Sequence, residues 1–465
     1  MLNTVILKLD IGFYREILTF FFGRPIIVVN IILLSGGSGK RLWPLSNDVR
    51  SKQFLKIYKN EDGSYESMVQ RVFKQIKTVD PEATVTIATS KSQVSALRNQ
   101  LGENVHLSVE PTRRDTFPAI ALAVAYMHDV LSIDQRDTVS VCPVDHYVDL
   151  DYYIVTEQIS EEVLHDDTDL VLMGIEPTYP SEKYGYIVPE GNSFPEWVQQ
   201  FREKPNMEIA EQLICQGALW NAGVFAFKLK YVLDMAKMVF GTCSYDELIN
   251  VYHSLQKISF DYAVVERAKR VKVVRYTGTW RDIGSWSMLT KTMDDSEIGN
   301  VIADKSCSDS HFINNLDIPL ICTGLRHITV AASPDGILVA ENNAADQIKG
   351  HVEQLDRDVM FAEKSWGDFH VLDVRPDCLT IKVTMRANDN MTYHSHDHRD
   401  EVWTVVSGQG KTIVDGMEQL VGPGDVITIQ AGCKHTIFSV TDLVLIEVQL
   451  GEDISASDKH KYDMP

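Results

Sequence analysis

The sequence predicts an α/β fold built on a mainly parallel sheet, followed by a small β-rich connector and a C-terminal all-β barrel. Three observations carry this. Between residues 26 and 289, apolar strand-like runs alternate with helical runs, the order that puts helices on both faces of a parallel sheet. From about residue 299 to 355 the pattern breaks into short strand-like pieces with turns. From about 359 to 448, short strands separated by Gly, Asp and Asn turns take over, the pattern of an antiparallel barrel. At 465 residues the chain is too long for one ordinary core. The expected organisation is an N-terminal extension over 1–28, an α/β domain over 29–295, the connector over 296–355 and the barrel over 356–465.

The first strand is expected over 26–34, a continuous apolar run. Ahead of it, the apolar residues 18–22 are interrupted by Arg24 and Pro25. That run is too short to span a bilayer, and it lacks the flanks of a signal peptide. It reads as an extension or as an amphipathic surface helix. Helices are expected over 67–76, 93–101 and 119–131, and strands over 84–89 and 138–144. In the connector, strands are expected over 320–322, 327–331 and 336–339.

The chain is 44% hydrophobic and 23% charged, with a formal net charge of -21. Non-specific nucleic-acid binding is excluded as an expectation, because no basic field exists to displace counterions. A membrane partner is not expected either. Any phosphate ligand would need local cations or a metal to gather it. The 7 cysteines are scattered without a CxxC pair, which suits a reduced, cytoplasmic setting.

The most informative segment runs Leu34-Ser35-Gly36-Gly37-Ser38-Gly39-Lys40-Arg41-Leu42-Trp43-Pro44-Leu45-Ser46, directly after the first strand. Gly36, Gly37 and Gly39 let backbone N–H groups come close to phosphate oxygens. Arg41 adds a fork-shaped cation, and Lys52, in Ser51-Lys52-Gln53-Phe54-Leu55, a second. A Walker loop needs Ser or Thr where Arg41 stands and Gly where Leu34 stands; a dinucleotide fingerprint from Gly37 needs Gly where Leu42 stands. A glycine turn without a ligand is the competing reading, and Arg41 with the Lys-Gln-Phe-Leu continuation weighs against it.

The segment closely resembles the signature of the mannose-1-phosphate guanylyltransferases, within the sugar nucleotidylyltransferases. That family has Gly-Gly-x-Gly-x-Arg-Leu, then Trp-Pro-Leu-Ser, then Pro-Lys-Gln-Phe-Leu. Here Ser51 replaces the proline and Lys40 a common threonine. The implied fold is a Rossmann-like nucleotidyltransferase sheet. The implied reaction takes GTP and mannose 1-phosphate to GDP-mannose and pyrophosphate.

Such transfer is in-line attack at the α-phosphorus, in which a protein mainly positions groups and neutralises charge, with Mg²⁺ as the usual partner. Asp145 ends the strand expected over 138–144, where open sheets bind ligands. It matches the family's Pro-x-Asp-His, and Asp282 in Trp280-Arg281-Asp282-Ile283-Gly284-Ser285-Trp286 matches Trp-x-Asp-x-Gly-Ser-Trp. Either acid alone reads as a turn or cap residue; two in this order, after this loop, reverse that reading. The resemblance therefore implies Arg41, Lys52, Asp145 and Asp282 as catalytic residues, the two aspartates holding Mg²⁺. It implies Leu34, Gly36, Gly37, Gly39, Arg41, Glu110 and Asp145 on the nucleotide. Glu110 lies in Glu110-Pro111-Thr112-Arg113-Arg114-Asp115-Thr116-Phe117, where Asp115 stands for the family's Asn and Phe117 for Ala. Gly185, Glu203, Lys204 and Asn221 are implied on the sugar phosphate, and the stretch 260–264 takes a structural or sugar-pocket role.

His394-x-His396, then Glu401, Gly408 and His435, form a cupin-type metal spacing. Strand residues two apart share a face, so both imidazoles can reach one ion. The expected site is His394, His396, Glu401 and His435, holding Zn²⁺ or another divalent metal. His398 offers a competing register. In bifunctional relatives this barrel is a phosphomannose isomerase. Here His394 replaces the usual Gln, Val402 replaces the His of Glu-His-Trp, and the tail lacks its arginine. A bifunctional enzyme that also isomerises fructose 6-phosphate, and a non-catalytic regulator, remain as alternatives. An exposed barrel edge would suit a homo-oligomer.

Overall fold

The computed structural model describes residues 29–37, 40–47, 49–60, 62–165, 167–355, 359–455 and 457–464. The extension expected over 1–28, and Gly39 of the glycine loop, lie outside the described residues. Two compact units divide the chain: Met1–Gly36, Ser67–Lys91 and Val105–Ile283 form the first, and Gly37–Glu66, Ser92–Asn104 and Gly284–Pro465 the second.

The first unit is built on a nine-stranded sheet. Its order is His106–Glu110, Thr84–Ser90, Asn30–Ser35, Thr138–Pro143, Leu219–Lys228, Leu170–Ile175, Val271–Tyr276, Glu196–Arg202 and Tyr186–Pro189. The first four strands are parallel. Leu219–Lys228 runs antiparallel to both neighbours. Parallel pairing returns between Leu170–Ile175 and Val271–Tyr276, and the last two strands are antiparallel. The central strands are buried along almost their whole length, as expected where helices cover both faces of a sheet.

The helix Thr116–Asp129, expected over 119–131, is apolar around most of its surface. Ten of its residues are buried, because the sheet covers one flank and the helices Leu229–Phe240 and Tyr245–Val251 cover another. It starts three residues earlier than the sequence suggests. The Asp115 side chain accepts from the Thr116 N–H at 2.8 Å, and Pro118 lies in the first turn, where no backbone donor is needed. The helix Met68–Val79 opens on a reciprocal capping box between Ser67 and Gln70.

In the second unit, the connector is a stack of short parallel strands. Glu297–Gly299, His311–Asn314 and Ile328–Ser333 pair in parallel, as do Val301–Ala303 and Leu320–Cys322. Phe312, Cys322 and Val330 form its small core. Asn314 Nδ2 donates to the carbonyls of Asn300 at 2.9 Å and Ile318 at 2.7 Å, tying successive turns together.

The barrel consists of a six-stranded and a five-stranded sheet, antiparallel throughout. Trp403, Val405, Ile437, Leu443 and Leu445 fill it from facing strands, following the period-two alternation that defines an inner face. Gly408 turns the chain at φ 86°, and a Cβ there would lie 2.1 Å from the Asp442 carbonyl oxygen; only glycine fits. All seven cysteines carry free thiols. No helix among the described residues is long and apolar enough to cross a membrane.

Candidate functional site

The first unit brings one set of the predicted residues together. Asp145 follows the buried strand Thr138–Pro143, after a turn in which Val144 N–H donates to the Leu34 carbonyl at 3.2 Å. The short strands His146–Val148 and Trp280–Asp282 then pair antiparallel, with Asp282 opposite His146. The ladder thus sets the backbone of Asp282 opposite His146, the residue that follows Asp145. The Trp280 indole N–H donates to His146 Nδ1 at 3.2 Å, which leaves the imidazole proton on Nε2.

An aromatic row leads from these acids to the predicted sugar residues. Ring centroids are 5.0 Å apart for His146 and Trp280, 5.5 Å for Tyr184 and Trp280, and 4.9 Å for Tyr184 and Trp220. Burial, and then the charge of Asp282, push the Tyr184 phenol up.

Gly185 follows Tyr184, and its carbonyl accepts from the Asn221 backbone N–H at 2.8 Å. Asn221 begins a bulge in Leu219–Lys228, where the register against Leu170–Ile175 shifts between Asn221 and Phe225. Its Oδ1 accepts from Gly223 N–H at 3.0 Å, and its Nδ2 donates to Asp261 Oδ1 at 2.8 Å. An N–H on one side and a carboxylate on the other admit only this orientation of the amide. Glu203 is buried and Lys204 Nζ donates to its Oε1 at 2.6 Å. Lys204 itself has φ 41°, an uncommon conformation for a residue with a Cβ and a form of strain that concentrates at functional positions.

Gly185 is needed for close approach. A Cβ there would lie 2.6 Å from Glu203 Oε2, 3.1 Å from Phe201 Cζ and 3.3 Å from Asn221 Cβ. Gly185→Ala is therefore expected to push Glu203 aside and raise the KM for a sugar phosphate about tenfold or more, since misplaced positioning groups are costly. An unchanged KM in steady-state kinetics would show that this corner does not touch the sugar.

Glu110 stands apart from these residues. Its buried carboxylate accepts from the Tyr252 hydroxyl at 2.7 Å, and burial pushes its pKa up.

Gly36 falls in the first unit and Gly37 in the second. Leu34 is partly buried in its strand, and Gly36 and Gly37 are exposed. A Cβ at either glycine would meet nothing within 4 Å, so bare backbone faces open space there. In the second unit, the Gly37 carbonyl accepts from the Ser51 hydroxyl at 2.8 Å and from Gln93 Nε2 at 3.3 Å, while Gln93 Nε2 also donates to Ser51 Oγ at 2.8 Å. Ser51, the departure from the family's proline, is thus a latch on the loop. Arg41 is exposed in the turn Lys40–Leu42, and Lys52 starts the turn Lys52–Phe54.

In the barrel, one ligand atom from each of His394, His396, Glu401 and His435 lies within 4.8 Å of the others, and all four residues are buried. Register makes this happen: His394 pairs with His435 across the sheet. His394 Nδ1 donates to the Thr392 carbonyl at 2.6 Å, His435 Nδ1 to that of Cys433 at 2.9 Å, and His396 Nδ1 to that of Asp458. A carbonyl can only accept, so every Nδ1 carries a proton and the Nε2 lone pairs turn inward. Among the described residues, Glu401 Oε1 and His435 Nε2 are buried with no hydrogen-bond partner. His396 Nε2 lies 3.0 Å from Glu401 Oε1. Acceptors gathered like this call for a cation, and three imidazoles with one carboxylate fit a transition metal. Burial, with the nearby Lys459 and His435, holds His394 down to about 2, a neutral imidazole. His398 is exposed and outside this group.

The sequence reading missed the residues that complete the barrel interior. Arg399 is buried and reaches His396 Nε2 at 3.3 Å through a guanidinium N–H. It shares a strand face with Glu401 and Trp403, so the period-two pattern could have shown it. Glu447, pushed up to about 8 by burial and by the charge of Glu401, faces the same interior.

The chain belongs to the nucleotidyl transferase family, which matches residues 30–297. Residues 351–463 match the mannose-6-phosphate isomerase C-terminal family. The mannose-1-phosphate guanylyltransferase of Escherichia coli (strain K12) is 29% identical over 475 residues, covering 93% of this chain and 97% of its own. That of Klebsiella pneumoniae is 28% identical over 480 residues, covering 93% and 98%. The crystal structure of mannose-1-phosphate geranyltransferase from Thermus thermophilus superposes with a TM-score of 0.60 at 26% identity, over 71% of this chain and 100% of that one.

Proposed function

We propose that this protein makes GDP-mannose and pyrophosphate from GTP and mannose 1-phosphate. The observation that carries the reading is the ladder that sets Asp282 opposite His146, beside Asp145. The aromatic row then runs from that pair to Glu203, Lys204 and Asn221. Similarity to guanylyltransferases along almost the full length of both chains supports the choice of substrates.

In this reading Asp145 and Asp282 hold Mg²⁺. Bound there, the ion would supply charge neutralisation on the phosphates. Glu203 and Asn221 fix the hexose, and Lys204 meets its phosphate as the nucleophile. Gly36 and Gly37, with Leu34 and Glu110, are assigned to the nucleotide. Arg41 and Lys52 balance charge that grows on the leaving pyrophosphate. Arg41→Ala is expected to lower kcat about 10²-fold, by analogy with loss of one donor to a developing anion. An unchanged kcat would remove Arg41 from that role.

In the barrel, His394, His396, Glu401 and His435 hold Zn²⁺ or another divalent transition metal. The isomerase alternative is not carried forward, because relatives named for guanylyl transfer span the barrel as well. The test of the proposal is a substrate panel. Pyrophosphate release should require both GTP and mannose 1-phosphate, with ATP or glucose 1-phosphate far slower. Equal rates with ATP, or release without the sugar phosphate, would contradict the assignment.

A further inference from the structure

We propose that Asp261 is a specificity-determining residue of the sugar pocket, its second carboxylate oxygen accepting a hydrogen bond from a ring hydroxyl of the hexose. The inference rests on the transferase reading above and names a residue that the motif comparison left with only a structural or sugar-pocket role.

Asp261 is held in place from behind. It lies on the short helix Phe260–Ala263, whose N-cap Ser259 accepts from Tyr262 N–H at 3.3 Å. Phe260 is buried against Phe225 and Phe227, with ring centroids 4.8 and 5.6 Å away. Its N–H donates to Thr116 Oγ1 at 2.8 Å. A helix of four residues has no stability of its own, so this anchoring fixes where the carboxylate stands.

Besides its own backbone N–H, one side chain among the described residues donates to the carboxylate. Oδ1 takes the Asn221 amide at 2.8 Å, and Oδ2 receives no hydrogen bond from another described side chain. The surroundings suit a neutral polyol. Two carboxylates, Asp261 and Glu203, share one cation, Lys204, which is bonded to Glu203. The excess of acceptors asks for hydroxyl donors, while the lysine remains available to a phosphate. Burial, followed by the charge of Glu203, raises the Asp261 pKa to about 7, as expected for an acid paired with a second acid in a partly desolvated place. A hydroxyl donated to this carboxylate relieves that cost.

Asp261→Asn isolates the second oxygen. The substituted amide keeps an oxygen for Asn221 but presents its N–H₂ to the ligand, so the anchoring bond survives and the acceptor is lost. The expected result is a KM for mannose 1-phosphate raised about 10- to 100-fold, the range of a charge-assisted hydrogen bond, with the KM for GTP unchanged. Mono-deoxy mannose 1-phosphates identify the hydroxyl. One analogue should lose a similar factor in kcat/KM with the native protein and lose nothing further with the Asp261→Asn variant. The native protein with the analogue series keeps the test open if the variant folds poorly. Unchanged sugar KM, equal losses in both KM values, or additive losses for every analogue would overturn the inference. A native protein with no GTP- and sugar-dependent turnover would overturn the transferase reading beneath it.

Discussion

Replacing Asp145 or Asp282 by asparagine will lower guanylyl transfer by about 10³-fold or more, the scale of losing a group that stabilises transition-state charge. Asparagine keeps the size of the side chain and can still hydrogen-bond, but it gives a hard cation a neutral oxygen in place of an anionic one. The ladder between His146–Val148 and Trp280–Asp282 is backbone-bonded, so neither substitution should unfold the sheet. On the proposed reading the two acids act on one ion, so their losses should not add: the double variant should be about as slow as either single one. Kinetics over a range of Mg²⁺ concentrations check this. Partial recovery at high Mg²⁺ would support shared metal binding, and near-native rates would remove both residues from it.

The second large effect concerns the barrel. Stripping metal with a chelator and then restoring excess Mg²⁺ should return transfer activity while leaving the barrel without its ion. Mg²⁺ favours oxygen ligands, and the barrel offers three imidazoles. At a free Zn²⁺ concentration a thousand times its Kd, binding stabilises the folded barrel by about 4 kcal/mol. The thermal transition should therefore rise when Zn²⁺ is added to native protein. His396→Ala with His435→Ala should abolish that rise without lowering transfer activity. A rise that persists in the double variant would place the metal elsewhere. Activity that returns only with Zn²⁺ would tie the barrel ion to transfer.

The strand-end place of Asp145 could be read from residue order, because it follows an apolar strand directly. The strands 84–89, 138–144 and 320–322 are also found within a residue or two of the expected bounds. Other features depend on partners remote in sequence. The antiparallel course of Leu219–Lys228 within the sheet comes from its two neighbours, and an apolar run does not reveal its direction. Residues 92–104 join the second unit although they lie between two segments of the first. One cause is visible: Asn99 Nδ2 donates to the Lys364 and Gly367 carbonyls, a pairing across about 265 residues that no local pattern encodes. The Ser51–Gln93–Gly37 latch and the Asp261–Asn221 bond were hidden for the same reason. His394, His396, Glu401 and His435, by contrast, were legible, since period-two spacing places them on inner faces.

In the proposed reaction the phosphorus attacked is the α-phosphorus of the nucleotide. GTP labelled at the α-position should place its label in GDP-mannose, one label per pyrophosphate released, only when mannose 1-phosphate is present. Label recovered as free nucleotide monophosphate, or γ-label transferred to the sugar, would contradict the account.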